Sequence, residues 1–395
     1  MSIWTLFGGV IGAFVLRFVD RHGWIVRERS LLRPFGIFVI ACCACALPLL
    51  YWYEVILPTY TLNFFTGFTP ETWLLLQTEN EYTDSHNFFR YVVHIFLFTC
   101  LLAAALIDCE DRIIPDELTV FGTIVGLSLM WFFPFALLPA HEYTVTSQYL
   151  LPVRSLLFWF SPHDIAEPFV ERVSLVLPSL LIWYAWCFAM LDRRWYQRLG
   201  TRRAAILFWR RLYQSSTTKW YLFFALLGSV GIPCGLLLGN QLQAYSLFTS
   251  LVGMAFGGGI VWAVRLVARA TLRVEAMGFG DVTFMAMIGT FVGWQPALLA
   301  FALAPFAGVV VGLITWFLGY GAAIPFGPFL AAATVVVVLL WCGIWLQTEW
   351  FFSLGLPLVL LVLLVCVVLI GIMLAIWYQI KIRLYRLHNG RGKRL

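Results

Sequence analysis

FFRYVVHIFLFTCLLAAALIDCEDRIIPDEL spans residues 88 to 118. Its first part, Phe88 to Ile107, is an apolar run as long as the hydrocarbon layer a helix must cross. Asp108 closes that run. A carboxylate at bilayer depth is costly, so an acid there marks a candidate functional site. The same pattern returns in mirror order at Gly278-Phe279-Gly280-Asp281, where an aspartate opens an apolar run.

The rest of the chain sets the class. Of 395 residues, 62% are hydrophobic and 12% charged, with a mean hydropathy of +0.87. Continuous apolar runs of helical length exclude a soluble protein and a transmembrane β-barrel, whose strands alternate. The reading is an all-α integral membrane protein, a polytopic bundle of about 8–11 transmembrane helices. Spans are drawn near 2–18, 35–57, 88–107, 118–140, 173–191, 221–239, 246–266, 282–295, 297–318, 326–346 and 351–378. The eighth is short, cut off by Trp294-Gln295-Pro296. The chain reads as one polytopic membrane domain over 1–395. Its catalytic core lies at about 88–346, and 347–395 adds a further helix and a basic tail. The first run, Ile3 to Val19, is read as a retained helix, because its flanking charge follows it.

Charge fixes an orientation. With the N-terminus outside and the spans alternating, all of the 26 Lys and Arg except Arg90, Arg154 and Arg172 fall on one side. That side is the cytoplasmic one. The C-terminus is then cytoplasmic, and Asp108 and Asp281 face the cytoplasm together. The net charge of +6 is thus a topology signal. It implies contact with an anionic lipid bilayer and no nucleic acid. Two outside segments are long, at about 58–87 and 141–172. Cys42 and Cys45 form one CxxC inside an apolar stretch, and a zinc ribbon needs a second pair on a polar loop. The nine cysteines are read mainly as packed core thiols.

The acids differ in what else they could do. Asp116 follows Pro115 at a helix start and reads as a cap for the next span. Asp281 is also welcome at a helix start. Asp108 sits at a helix C-terminus, where the dipole opposes it. Two carboxylates held close share one proton, so one acts as base toward water and the other as acid toward a peptide carbonyl. Gly278 and Gly280 would let a substrate backbone approach Asp281. His94 lies inside a span with no HExxH, and no GxSxG is present, so zinc and serine chemistry have no motif. The other reading is a proton- or cation-coupled transporter using the same two acids.

Four stretches carry a resemblance. They are Asp108-(x5)-Ile114-Pro115-Asp116, Gly278-Phe279-Gly280-Asp281 with Gly289 and Gly293-Trp294, Ile324-Pro325-Phe326-Gly327-Pro328-Phe329-Leu330-Ala331, and Gly12-Ala13-Phe14 with Arg21. Together they resemble the type IV prepilin peptidase family, membrane aspartic proteases of the GxGD type. The resemblance implies an aspartic endopeptidase of the inner membrane that removes the basic leader from prepilin or pseudopilin-like substrates. Asp108 and Asp281 would be catalytic, with no metal. Gly278, Gly280 and Pro325 would lie on the substrate side, and Glu110, Asp111 and Asp116 would attract the basic leader. The chain departs from the family's pattern at Leu16, at Thr283 and in the loop from Arg21 to Phe35, which has no cysteine. S-adenosylmethionine would be needed only if methyl transfer were retained, and a peptidase-only member is expected.

Overall fold

The computed structural model describes residues 50, 83–146, 149–159, 161, 171–191, 206, 210, 216–272, 277–317, 325–354, 357–369, 371–373 and 379. The expected span at 2–18, that at 35–57 apart from residue 50, the loop at 58–87 up to residue 82, and the tail beyond 379 lie outside them. So does most of the basic stretch 193–219.

Helices α1 (Thr83–Asp111) and α2 (Asp116–Phe132) form a hairpin around the first aspartate motif. After a 3-10 turn at Pro134–Ala136 come two strands, β1 (Pro139–Thr146) and β2 (Tyr149–Leu156). Then follow α3 (Arg172–Met190), α4 (Ser216–Leu238), α5 (Gln241–Leu272), α6 (Phe279–Val292), α7 (Trp294–Phe317), α8 (Gly327–Leu339) and α9 (Trp341–Phe352). A further apolar helix, α10, runs Pro357–Met373. Among the described residues five helices are long and apolar enough to cross a membrane, or six if α8 and α9 count as one bent span. The protein is an integral membrane protein. Its outer faces fit that solvent: Leu177, Leu181 and Phe188 on α3 and Leu222, Leu226 and Val230 on α4 point outward. Lipid is as apolar as a leucine, so nothing drives these side chains inward.

Three details depart from the drawn spans. The span expected at 118–140 ends at Phe132, because Pro134 cannot continue the helix. Its apolar continuation turns inward instead, burying Leu137 and Leu138. Second, the segment 141–172, expected outside the membrane, is not all loop. Strands β1 and β2 pair antiparallel, Pro139 opposite Leu156 and Thr146 opposite Tyr149, adding one hairpin to the all-α expectation. Third, the span expected at 326–346 is bent by 98° between α8 and α9. The bend turns Trp341, Trp345 and Phe352 into the core, with Trp345 stacked 5.7 Å from Phe352.

The centre of the bundle is the pair α5 and α6, which run antiparallel with their backbones touching. A Cβ on Gly253 would fall on the Gly289 carbonyl, and one on Gly289 would fall on the Gly253 carbonyl. One turn along, a Cβ on Gly257 would lie 2.5 Å from the Met285 oxygen. Small residues let membrane helices approach this closely. The contact carries α6, buried from Val282 to Val292, through the middle of the protein. Gly293, at φ +84°, ends α6, so the break before Trp294 is real. The end of α6 away from Asp281 is pinned by Gln295, whose amide donates to the carbonyls of Phe158 (2.9 Å) and Ser161 (3.1 Å). The Trp294 indole donates to the Trp159 carbonyl at 2.8 Å.

Not all cysteines are packed inside. Cys100 and Cys187 are buried, but Cys109, Cys234 and Cys366 are exposed. The last two lie on α4 and α10, whose outer faces are as apolar as their inner ones.

Candidate active site

Asp108 lies in the last turn of α1 and is 5% exposed. Ala104 and Ile107 on the same helix and Ile114 beyond it are buried beside it in the core. Helix α1 ends because Arg112 takes a left-handed φ of 57°, its N–H donating to the Asp108 carbonyl at 3.0 Å. That conformation is unfavourable for any residue with a Cβ by about 1–2 kcal/mol. The turn it makes brings Ile114 back over the end of the helix. The Asp108 carboxylate is tied to a distant element: its Oδ2 accepts the Gly327 backbone N–H at 2.9 Å. Gly327 is the first residue of α8, with Pro328 following, and its amide is one of the donors a helix start leaves unpaired. A Cβ on Gly327 would come 2.5 Å from Asp108 Oδ2 and 3.1 Å from Ile114 Cδ1. Only glycine lets the carboxylate reach that amide.

Asp281 occupies the first turn of α6 and is half-buried. Its Oδ2 accepts the Gly278 N–H at 3.2 Å, half of a capping box. The two glycines before it differ. Gly278 has ordinary extended backbone (φ −68°, ψ 161°), and a Cβ there would meet nothing closer than 3.6 Å. It needs no glycine-only conformation. Gly280 does allow a close approach, since a Cβ there would sit 2.9 Å from the Ile114 carbonyl oxygen. The backbone that uses this space is the chain's own, so the room read at Gly280 for a substrate is filled by Ile114.

The two motifs and the α8 start therefore meet around Ile114, which touches Gly280 on one side and Gly327 on the other. Asp281 lies within electrostatic reach of Asp108 and of the Arg265 guanidinium. Below it, buried hydroxyls clasp α2 to α6: Thr119 donates to Thr283 at 3.0 Å, and Thr283 donates to the Gly280 carbonyl at 3.0 Å. A carboxylate from each motif thus reaches the same junction, each accepting one backbone N–H.

The remaining acids form a rim. Asp111, Asp116 and Glu117 are exposed and Glu110 is half-buried. Asp116 is not the cap it was expected to be. Pro115 holds the cap position, and no side chain caps α2. A carboxylate at the first helical position lies inside the helix and is badly placed to reach back over its own leading N–H groups. It still favours the helix dipole, with Glu117. Pro325 is half-buried just ahead of α8. The sequence does not single out Gly327, Arg265 or Thr119, and Thr283 enters there only as a departure from the family's pattern. Gly327 lies in the quoted Ile324–Ala331 segment, and Arg265 counts in the sequence only toward the topology charge.

Comparison with known proteins bears on part of this site. Residues 207–313 match the type IV leader peptidase family. A prepilin leader peptidase/N-methyltransferase of Pseudomonas aeruginosa is 36% identical over 97 residues, 24% of this chain and 33% of that protein. The protein of the same name from Stutzerimonas stutzeri is 34% identical over 109 residues, 26% of this chain and 38% of the relative. That of Aeromonas salmonicida is 30% identical over 123 residues, 30% and 41% of the two chains. The chain thus spans well under half the length of these relatives. No solved structure matches significantly. The family match contains Asp281, α5 and α6 but stops short of both Asp108 and Gly327, which join the site through the fold. Over residues 207–313 the chain is similar to the type IV leader peptidase family, the family its aspartate motifs resemble.

Proposed function

We propose that this chain is an aspartic endopeptidase that removes the basic leader from type IV prepilin or pseudopilin-like proteins at the cytoplasmic face of the plasma membrane. The observation that carries the reading is the meeting of Asp108, Asp281 and the Gly327 amide, three groups far apart in sequence. The peptidase names of the matched relatives supply the substrate class. A substrate with a positive leader and an apolar helix suits the site: the helix lies in the bilayer, and the leader meets Glu110, Asp111 and Asp116. Gly278 and Pro325 border the acids on the side open to a substrate. Arg and Lys distribution supports the outside N-terminus and the cytoplasmic C-terminus. Nothing favours the transporter alternative. Methyl transfer, with S-adenosylmethionine, is not part of the proposal.

The test is direct. Membranes containing the chain, mixed with a type IV prepilin, should shorten it by its leader, visible as a mobility shift and by mass. A prepilin left whole under conditions in which a known peptidase cuts it would sink the reading. Two further results are expected. Chelators should leave the rate unchanged, because the acid pair supplies both proton transfers without a Lewis acid; loss of cleavage restored by a metal would replace the mechanism. Gly327→Ala should insert and accumulate but cut about 100-fold more slowly, since its methyl displaces the Asp108 carboxylate and small misplacements of reacting groups cost about that much. A wild-type rate in Gly327→Ala would show that the amide does not hold Asp108.

A further inference from the structure

The two acids are not equally open. Asp281 is half-buried and the Gly278 beside it is exposed, whereas Asp108 is 5% exposed. A group that exchanges protons with water and a peptide must touch both. In the free chain Asp108 is covered, so something must uncover it.

The cover is Ile114, itself buried. Its Cδ1 lies 3.1 Å from where Gly327 would carry a Cβ, and Gly327 is the residue whose N–H Asp108 accepts. Its carbonyl oxygen lies 2.9 Å from where Gly280 would carry one. Ile114 thus reaches from the second motif to the start of α8 and fills the approach between them. The two sides of this cover are held differently. Helix α8 is anchored, with Leu330 and Ala331 in the core and its first amide on Asp108. The segment Arg112–Pro115 lies between helices. Among the described residues the backbones of Ile113 and Ile114 take part in no hydrogen bond. Arg112 sits at a left-handed φ of 57°, a strain that a move of the segment would relieve. Helix α2 has no side-chain cap for such a move to break. Packing alone holds the segment down, and Ile113 already points outward at 67% exposure.

The flanks of the segment are acidic on both sides, Glu110 and Asp111 before it and Asp116 and Glu117 after it. A basic leader drawn to these acids binds the two ends of the segment itself. A ligand shifts a two-state element only by preferring one state. The leader prefers the open one, because only there does the peptide behind it reach Asp108. Resting on the acid-pair reading, we propose that Arg112–Pro115 is a flap that seals Asp108 with Ile114 in the free enzyme and is lifted by the basic leader of the substrate. An apolar helix without such a leader then meets a closed site.

The experiment locks the flap. The Ile114 Cβ is 3.1 Å from the Gly280 Cβ position, a few tenths of an ångström short of the separation in a disulfide. Ile114→Cys with Gly280→Cys, made in a Cys109→Ser chain to remove the exposed neighbouring thiol, is assayed on a prepilin in membranes. The reduced protein should cut, the oxidised one should not, and reductant should restore cleavage. An oxidised protein, its disulfide verified by mass, that cuts as fast as the reduced one overturns the proposal. Should the reduced protein be inactive or fail to accumulate, Ile114→Ala decides on two substrates, the prepilin and one with its leader Lys and Arg changed to Gln. Loosening the seal should speed the neutral substrate about tenfold relative to the basic one, as for an open state populated near 10%. A purely structural defect slows both alike, and an unchanged ratio overturns the flap. Asp108→Asn and Asp281→Asn run beside these variants. If both are inactive and the lock has no effect, only the flap fails; if they still cut, the acid pair itself is wrong.

Discussion

Replacing Asp281 or Asp108 by Asn is expected to stop leader cleavage in membranes that still contain full-length protein. The substitution keeps the shape of the side chain. An Asn at 108 can still accept the Gly327 N–H through its amide oxygen, and an Asn at 281 can still accept the Gly278 N–H, so both tethers seen at 2.9 and 3.2 Å survive. What is lost is the capacity to take or give a proton. General acid or base catalysis contributes about 10²–10⁴-fold per group, and two groups sharing one proton act as a unit. The double variant should therefore be no slower than either single one. The measurement is the fraction of a co-expressed prepilin that is shortened, against the amount of enzyme in the membrane. Wild-type processing by either Asn protein would remove that acid from the mechanism.

How far the site could be read from sequence depends on the kind of information each residue carries. Asp108 and Asp281 were legible because each breaks an apolar run, and a local rule notices that. Their partners were not. Asp108 and Gly327 lie 219 positions apart, and nothing in the spacing of either motif encodes that one amide meets the other carboxylate. Gly280 looked like room for a substrate because a glycine reports close approach without naming what approaches; the structure puts Ile114 there. Asp116 looked like a cap because Pro115 marks a helix start, but Pro115 itself takes the cap position. The span at 118–140 was drawn too long because hydropathy measures transfer to an apolar phase, whether the backbone is helical or not; Phe133–Leu138 is apolar and still turns. The exposed Cys234 and Cys366 have a related cause. In a membrane protein an apolar run says that a helix is in the bilayer, and is silent on which face meets lipid.

The second large effect concerns what carries Asp281 rather than the acid itself. Gly289→Leu is expected to destabilise the protein by about 3 kcal/mol or more, the upper part of the usual cost of overpacking. The reason lies in what the new side chain would strike. At many glycines the nearest obstacle is the end of a flexible side chain, which can swing aside. At Gly289 it is the Gly253 carbonyl, and at Gly253 it is the Gly289 carbonyl. Neither backbone can yield without moving its helix, and Gly257 against Met285 repeats the constraint one turn away. Separating α5 from α6 forfeits close packing, which is the main force between helices where lipid offers no hydrophobic drive. Gly259, on the same helix α5, is the control: a Cβ there meets nothing within 4 Å, so Gly259→Leu should accumulate and melt like the wild type. Thermal unfolding in detergent reads both. Equal midpoints for Gly289→Leu and Gly259→Leu would mean that the two backbones do not touch. Because Asp281 rides on α6, Gly289→Leu should also lose cleavage, in proportion to the folded protein lost, whereas Asp281→Asn should lose cleavage with its unfolding midpoint unchanged. That contrast separates the helix pair that places the acid from the acid that does the chemistry.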